Sequence, residues 1–390
     1  MIGGTGALLM AAAAAALVAC SFSGATSDSV AIGPDAGVAN DAGTSRPDAS
    51  SPDAGAGIAA NAIVLVHAAS FPAFRICFDG ARGDLPLPSA ELMPEANVVG
   101  VDVGTALRFP ARGGVLGRAF VFVESYLRPF YTVDGVGPTC AHLLTGNETK
   151  AAAIEVGEVT TSLAHGVHAL VLGGCRASAA DPMASTERCG DDWEPAKGNL
   201  ALRTIDLPAH GRLDPSGLPV QLLQLSPSLH RSAAGRALGL ALGPLDGGAT
   251  TMTAPAIEGA VPFATPVPNP PVQLAYDATD LASFARTGVF VTLGGAVDDA
   301  GAPVAPDAGA RELVIVQSLA DIQKRSAPRS VPPDWFASGT SYIVLSVGER
   351  DPRAADGGPD DDPRRALHLL AIPLATPDAG TDAASAERRR

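Results

Sequence analysis

Four consecutive residues, Asp191-Asp192-Trp193-Glu194, set three carboxylates around an indole. Carboxylate oxygens are hard ligands for a divalent cation, and they also accept hydrogen bonds from sugar hydroxyls. An exposed indole adds an apolar face on which a sugar ring can lie. This cluster is the candidate ligand-binding site; the competing reading is a solvated turn that uses Trp193 as a plug. The other chemistry-bearing residues are dispersed. Of seven histidines, only His165 and His168 are close in sequence. Residues three apart on a strand face opposite sides of the sheet, so this pair does not chelate one ion from a regular strand. His67 and His368 each lie within an apolar strand, where a core histidine bonded to backbone is expected. No Gly-x-Ser-x-Gly elbow occurs, and Ser338 in Phe336-Ala337-Ser338-Gly339 lacks the first glycine. The glycines of Gly113-Gly114-Val115-Leu116-Gly117 have no Lys-Ser/Thr partner for a phosphate and read as a turn between strands. No catalytic residue, metal or cofactor is assigned, and the chain is read as a non-catalytic structural or binding module. The alternative is a hydrolytic or metal-dependent enzyme whose site is assembled from dispersed residues.

Cys20 stands apart from the other cysteines. The apolar run 7–20 has about the length of a secretory h-region and is too short to span a bilayer. Its end, Leu17-Val18-Ala19-Cys20, resembles the lipobox of bacterial lipoproteins, in which the cysteine is acylated and becomes the new N-terminus. That resemblance implies a signal peptide over 1–19 and lipidation at Cys20. With Ser21 next, in place of the Asp that retains such proteins on the inner membrane, it implies an outer-membrane address.

Five cysteines less Cys20 leave Cys77, Cys140, Cys175 and Cys189. An even number in an exported chain reads as two disulfides. Three pairings are possible. The short loop rich in Ala, Ser, Asp and Pro between Cys175 and Cys189 favours that bridge, which leaves Cys77 with Cys140. On chain-entropy grounds the two loops are worth about 3 and about 4 kcal/mol respectively. A zinc site of His165 or His168 with Cys175 and Cys189 competes, but its spacing fits no common finger pattern. All four cysteines lie before residue 210, so reduction is expected to weaken the first half of the folded region and to spare the second.

The net charge is −14. An acidic chain with no basic stripe repels nucleic acid, and Arg388-Arg389-Arg390 reads as a short solvated tail. Much of the acid sits in repeats such as Pro34-Asp35-Ala36-Gly37 and Pro52-Asp53-Ala54-Gly55. With few aliphatic side chains and regular Pro and Gly, residues 20–59 are expected to be a disordered tether. A calcium-binding repeat is the competing reading, and it lacks the convergent oxygen ligands that such a loop needs.

The elements that must position these residues are short strands. Ile63-Val64-Leu65-Val66-His67 is a β-branched run, and Phe74-Arg75-Ile76-Cys77-Phe78 alternates, with Phe74, Ile76 and Phe78 on one face. Further strands are expected in 98–109, 118–123, 168–172, 220–225, 289–293, 312–316, 342–347 and 367–372. Period-2 segments separated by turn signals favour antiparallel sandwiches over a βαβ fold. Single helical turns are expected at 151–154 and 282–285. The length suits two sandwich domains, 60–210 and 215–375, followed by a disordered tail over 376–390. Val220-Gln221-Leu222-Leu223-Gln224-Leu225 reads as a second version of the opening strand at Ile63, which makes the two domains a tandem repeat.

The opening strand with its His67-Ala68-Ala69-Ser70 turn, the Arg75-x-Cys77-Phe78 strand and the stretch Gly166 to Leu172 resemble an uncharacterised Ig-like domain found in tandem in bacterial surface lipoproteins. So does the segment Trp193-Glu194-Pro195 to Gly198-Asn199-Leu200. The resemblance implies an all-β fold of two Ig-like sandwiches and a lipid-anchored place in the cell envelope, with no assigned chemistry. The partners expected are the membrane, through the anchor, and an envelope protein or polysaccharide.

Overall fold

Apolar runs become strands wherever turn residues bound them, and the result is an all-β protein of sandwich type. The computed structural model describes residues 61–81, 84–89, 100–111, 113–131, 137–207, 217–245, 255–275, 285–304, 311–326, 341–352 and 362–374. All belong to the compact unit Asp53–Arg390. Cys20 with the leader and tether, most of the 208–219 connection, the turn at 282–285 except Ala285, Ser338 and the tail lie outside the described residues.

The first half supplies β1 (Ala62–His67), β2 (Phe74–Phe78), β3 (Ala106–Pro110), β4 (Val115–Val123), β5 (Ile154–Ser162), β6 (Val167–Gly173) and β7 (Ala201–Leu207). They form a four-stranded sheet, β3-β1-β6-β7, and a three-stranded sheet, β2-β4-β5. The second half supplies β8 (Gly217–Gln224), β9 (Arg236–Pro244), β10 (Ile257–Gly259), β11 (Val267–Ala275), β12 (Thr287–Ala296), β13 (Glu312–Ser318), β14 (Ser341–Val347) and β15 (His368–Leu374). These make the sheets β11-β8-β14-β15 and β10-β9-β12-β13. The halves repeat one plan. Each opening strand, β1 or β8, pairs antiparallel on one side, with β3 or β11, and parallel on the other, with β6 or β14. The two parallel pairs depart from the all-antiparallel expectation. Parallel pairing needs a long connection, and here the chain crosses the opposite sheet before returning to the opening strand.

Helices are short: α1 (Glu124–Leu127), α2 (Cys140–Thr145), α3 (Asn147–Ala152), α4 (Thr186–Cys189), α5 (Pro227–Ser232) and α6 (Leu319–Ser326). The helical turn expected at 151–154 is the end of α3, after which β5 begins. The Gly113-Gly114 pair is a turn between β3 and β4, and Gly114 has φ +85°.

Three large cores organise the unit. Phe74, Ile76 and Phe78 share a face as expected and meet Ile63, Leu65, Leu107, Phe109 and Leu170 from the other sheet. In the second half, Leu218, Val220, Leu222, Tyr342 and Leu369 meet Leu238, Leu240, Val289 and Val291. The third core joins the halves. The alternate residues of β1, Ala62, Val64 and Val66, together with Val167 and Val171, pack against Leu223, Ile343, Leu345, Leu370 and Ile372. Every residue of β1, β8, β14 and β15 is therefore buried. A strand covered on both faces reads as a continuous apolar run. The two halves are thus fused sheet to sheet rather than strung on a linker. Polar ties reinforce the seam: Arg108 donates to the Pro373 carbonyl at 2.8 Å, and Arg188 pairs with Glu349 at 2.6 Å.

Candidate functional site

The bridges Cys77–Cys140 and Cys175–Cys189 are both formed, each with Cα atoms 5.4 Å apart. The first ties β2 to the start of α2 beneath Phe122, Leu127 and Leu143. The second closes the loop between β6 and β7. The zinc alternative fails because both thiols are consumed. His168 places Nδ1 2.7 Å from Asp206 Oδ1 and Nε2 2.6 Å from the His165 carbonyl.

Within that loop Ser185 caps α4, its hydroxyl accepting from the Arg188 amide. Gly190, at φ +104°, turns the chain out of the helix through backbone space that favours glycine. Asn199 then locks the loop. Its Oδ1 accepts from the Cys175 amide at 2.9 Å, and its Nδ2 donates to the Cys189 carbonyl at 2.9 Å and to Asp192 Oδ1 at 2.7 Å. One amide thus holds both ends of the disulfide and one carboxylate.

The four-residue cluster divides here. Trp193 is not an open platform. It is 9% exposed, packs on Cys175 and Cys189, and donates Nε1–H to the Arg176 carbonyl at 3.0 Å. The loop has few other apolar side chains, so the indole covers the disulfide. Glu194 is exposed and pairs with Lys197 at 3.1 Å. Asp191 and Asp192 remain, and both line a cleft of about 250 Å³ between the disulfide loop and the second half.

The same cleft is lined by residues that sequence inspection did not group with the two aspartates: Arg203 of β7, His230 and Arg231 of α5, and Phe263. Ser226 caps α5 and Pro227 opens it, which signals the helix but not its neighbour. Arg203 Nη2 lies 3.5 Å from Asp192 Oδ2, and its guanidinium carbon sits 5.6 Å from the Phe263 ring centroid. The His230 ring centre is 5.5 Å from that of Phe263. Arg231 Nη2 pairs with Asp191 and donates to the Thr186 carbonyl at 3.0 Å. Phe263 is aimed by a tight turn, for Ala264 has φ +56° and its amide donates to the Gln224 carbonyl at 2.9 Å. Among the described residues Ala264 is the one non-glycine at positive φ, a conformation that costs about 1–2 kcal/mol. Ala68, Val171, Leu225 and Pro227 supply apolar wall.

His67 and His368 behave as core residues, whereas His142 and His165 are exposed. His67 is fully buried with Nδ1 3.1 Å from the Val101 carbonyl, and burial pushes its pKa down to about 4. His368 is bonded to backbone as well. Among the described residues, no three His, Cys, Asp or Glu side chains are grouped to hold a metal ion. The chain matches no protein-family model and no curated protein, so no relative lends residues or a role to this cleft.

Proposed function

We propose that this protein is an exported, lipid-anchored envelope module that binds a ligand without transforming it, and that the junction cleft is where it does so. The observation that carries this reading is the Cys175–Cys189 bridge, whose Cys189 lines the cleft. Disulfides persist in oxidising compartments and are rare in the cytosol. A disulfide-fixed loop also loses little freedom when a ligand arrives. The resemblance of Leu17-Val18-Ala19-Cys20 to a lipobox supports the tether, and two or more acyl chains suffice for stable anchoring without a membrane-spanning helix. The resemblance of the first half's strand motifs to a tandem Ig-like domain of surface lipoproteins supports the same address. The outer membrane is the address that Ser21 favours, with an envelope protein or polysaccharide as the partner and no nucleic acid.

The test is fractionation of cells expressing the full chain and a Cys20→Ser variant. The wild type partitions with outer membranes at the size of an acylated, processed protein. The variant is released or accumulates as precursor. Membrane retention of Cys20→Ser at wild-type level and size overturns the tether.

A further inference from the structure

We infer that the junction cleft takes a single uronic-acid unit, with its carboxylate between Arg203 and Arg231 and its ring against Phe263. This deepens the binding-module reading and rests on it.

Hydrogen-bonding capacity around the cleft is unevenly divided between donors and acceptors. Arg203 uses Nη2 on Asp192, and Arg231 uses Nη2 on Asp191 and the Thr186 carbonyl. That leaves Nε and Nη1 of both guanidiniums unengaged among the described residues. The His230 ring makes only its contact with Phe263 there. Fewer acceptors are open. Asp192 has Oδ1 on Asn199 and Oδ2 near Arg203, and both Nδ2 protons of Asn199 are used. Among the described side chains of the cleft, the carboxylate oxygen with no partner is the second one of Asp191. Unengaged guanidinium N–H groups beside one unengaged carboxylate oxygen suit a ligand rich in acceptors, above all a carboxylate.

The rest of the ligand follows from the walls. Phe263 and the apolar side chains opposite suit the C–H face of a compact ring, while Asp191 suits a ring hydroxyl that can donate. A neutral hexose brings no charged acceptor to the remaining guanidinium N–H groups, and an aliphatic acid brings no hydroxyl donor to the free oxygen of Asp191. A uronic acid matches both. The volume of about 250 Å³ lies below that of sites for drug-sized ligands, about 300–1,000 Å³, and fits one ring. The positive φ of Ala264 belongs here too, since strain kept beside a cleft is held by its surroundings and serves placement, in this case of Phe263.

The test is calorimetric titration of the disulfide-intact protein with D-glucuronate, D-glucose and N-acetylalanine, the last a carboxylate of peptide type. Glucuronate is expected to bind about tenfold or more tighter than either, with affinity falling as salt rises. Arg203→Gln is the decisive variant, because among the described residues the Arg203 side chain makes an exposed ion pair with Asp192 and a contact with Phe263, while the seam itself rests on the shared apolar core. It should lose about tenfold in glucuronate affinity with an unchanged melting temperature. Phe263→Ala should weaken glucuronate and glucose alike. Equal affinity for glucose, equal or tighter binding of N-acetylalanine, undiminished binding by Arg203→Gln, or no glucuronate binding at millimolar concentration each overturns the inference. None of these outcomes bears on membrane release by Cys20→Ser, so this inference can fail while the tethered module stands.

Discussion

His368 of β15 reaches across the seam to Gly104, its Nε2 2.7 Å from that carbonyl, while its Nδ1 lies 2.6 Å from the Ala366 carbonyl. A neutral ring carries one N–H and donates to only one of them. Burial pushes the His368 pKa down, against the upward pull of the two carbonyls, and Arg325 lowers it further. On the other side of the same turn, burial holds His67 at about 4, opposed by the Val101 carbonyl and by Asp102. Asp102 is itself paired with Arg364 at 2.8 Å.

Both histidines are neutral in the folded protein and take up protons on unfolding, so stability rises with pH through their range. It is fully present above the ordinary value of 6.5 and is lost as pH falls towards about 4. His67 alone accounts for about 3 kcal/mol of that loss. Urea midpoints should be flat from neutral pH upward and drop steadily below pH 6.5. A His67→Phe variant should show a shallower drop; an identical slope removes His67 as a cause.

The disulfides should act on the whole unit. Both lie in the first half, but the core of Val64, Val66 and Val171 with Leu223, Ile343 and Leu370 is shared. Each such side chain contributes about 1.5–3 kcal/mol when buried, so neither half is independent of the other. Replacing Cys77 and Cys140 by Ala should cost about 4 kcal/mol, and replacing Cys175 and Cys189 about 3 kcal/mol. Melting should remain a single transition that moves down. Two separated transitions, with the second unmoved by reduction, would show that the shared core does not couple the halves.

Trp193→Ala separates core from platform. The indole covers the Cys175–Cys189 bridge and donates to Arg176, so its removal should cost about 3–5 kcal/mol. A denaturant midpoint within error of wild type would return Trp193 to the list of surface contact residues.

How much of this was legible follows from which forces each residue answers to. Phe74, Ile76 and Phe78 alternate because one face of β2 meets a core; the short loop marks Cys175–Cys189, and Cys77–Cys140 follows by elimination. The fused seam was not read from the sequence, where two separate sandwiches were expected, although Ile63-Val64-Leu65-Val66 and Leu369-Leu370-Ala371-Ile372 are the continuous apolar runs of strands buried on both faces. β5 and β11 were obscured by their edge positions. The first is mostly exposed and polar, and the second carries Pro268, Pro270 and Pro271, which only an edge strand tolerates. The cleft was half legible. Asp191 and Asp192 announce themselves, but Arg203, Arg231 and Phe263 reach them only through tertiary packing, which has no local signature.

Arg75 and Glu124 form an ion pair with 7% and 6% of their side chains exposed, Nε to Oε2 at 2.6 Å. Arg75 also donates to the Pro88 carbonyl and lies 4.4 Å from the Tyr131 ring centre. It thereby fastens β2 to the segment before residue 90 and to the end of β4. A buried pair adds little over well-packed apolar residues, but breaking it leaves a charge in low dielectric. Glu124→Ala should therefore destabilise by about 3–5 kcal/mol, more than the double variant Arg75→Met with Glu124→Leu, in which no charge is stranded. Urea titrations of the three proteins decide it. If the double variant loses as much as the single one, the cost lies in packing and the Pro88 contact, and the ion pair is not what holds this corner.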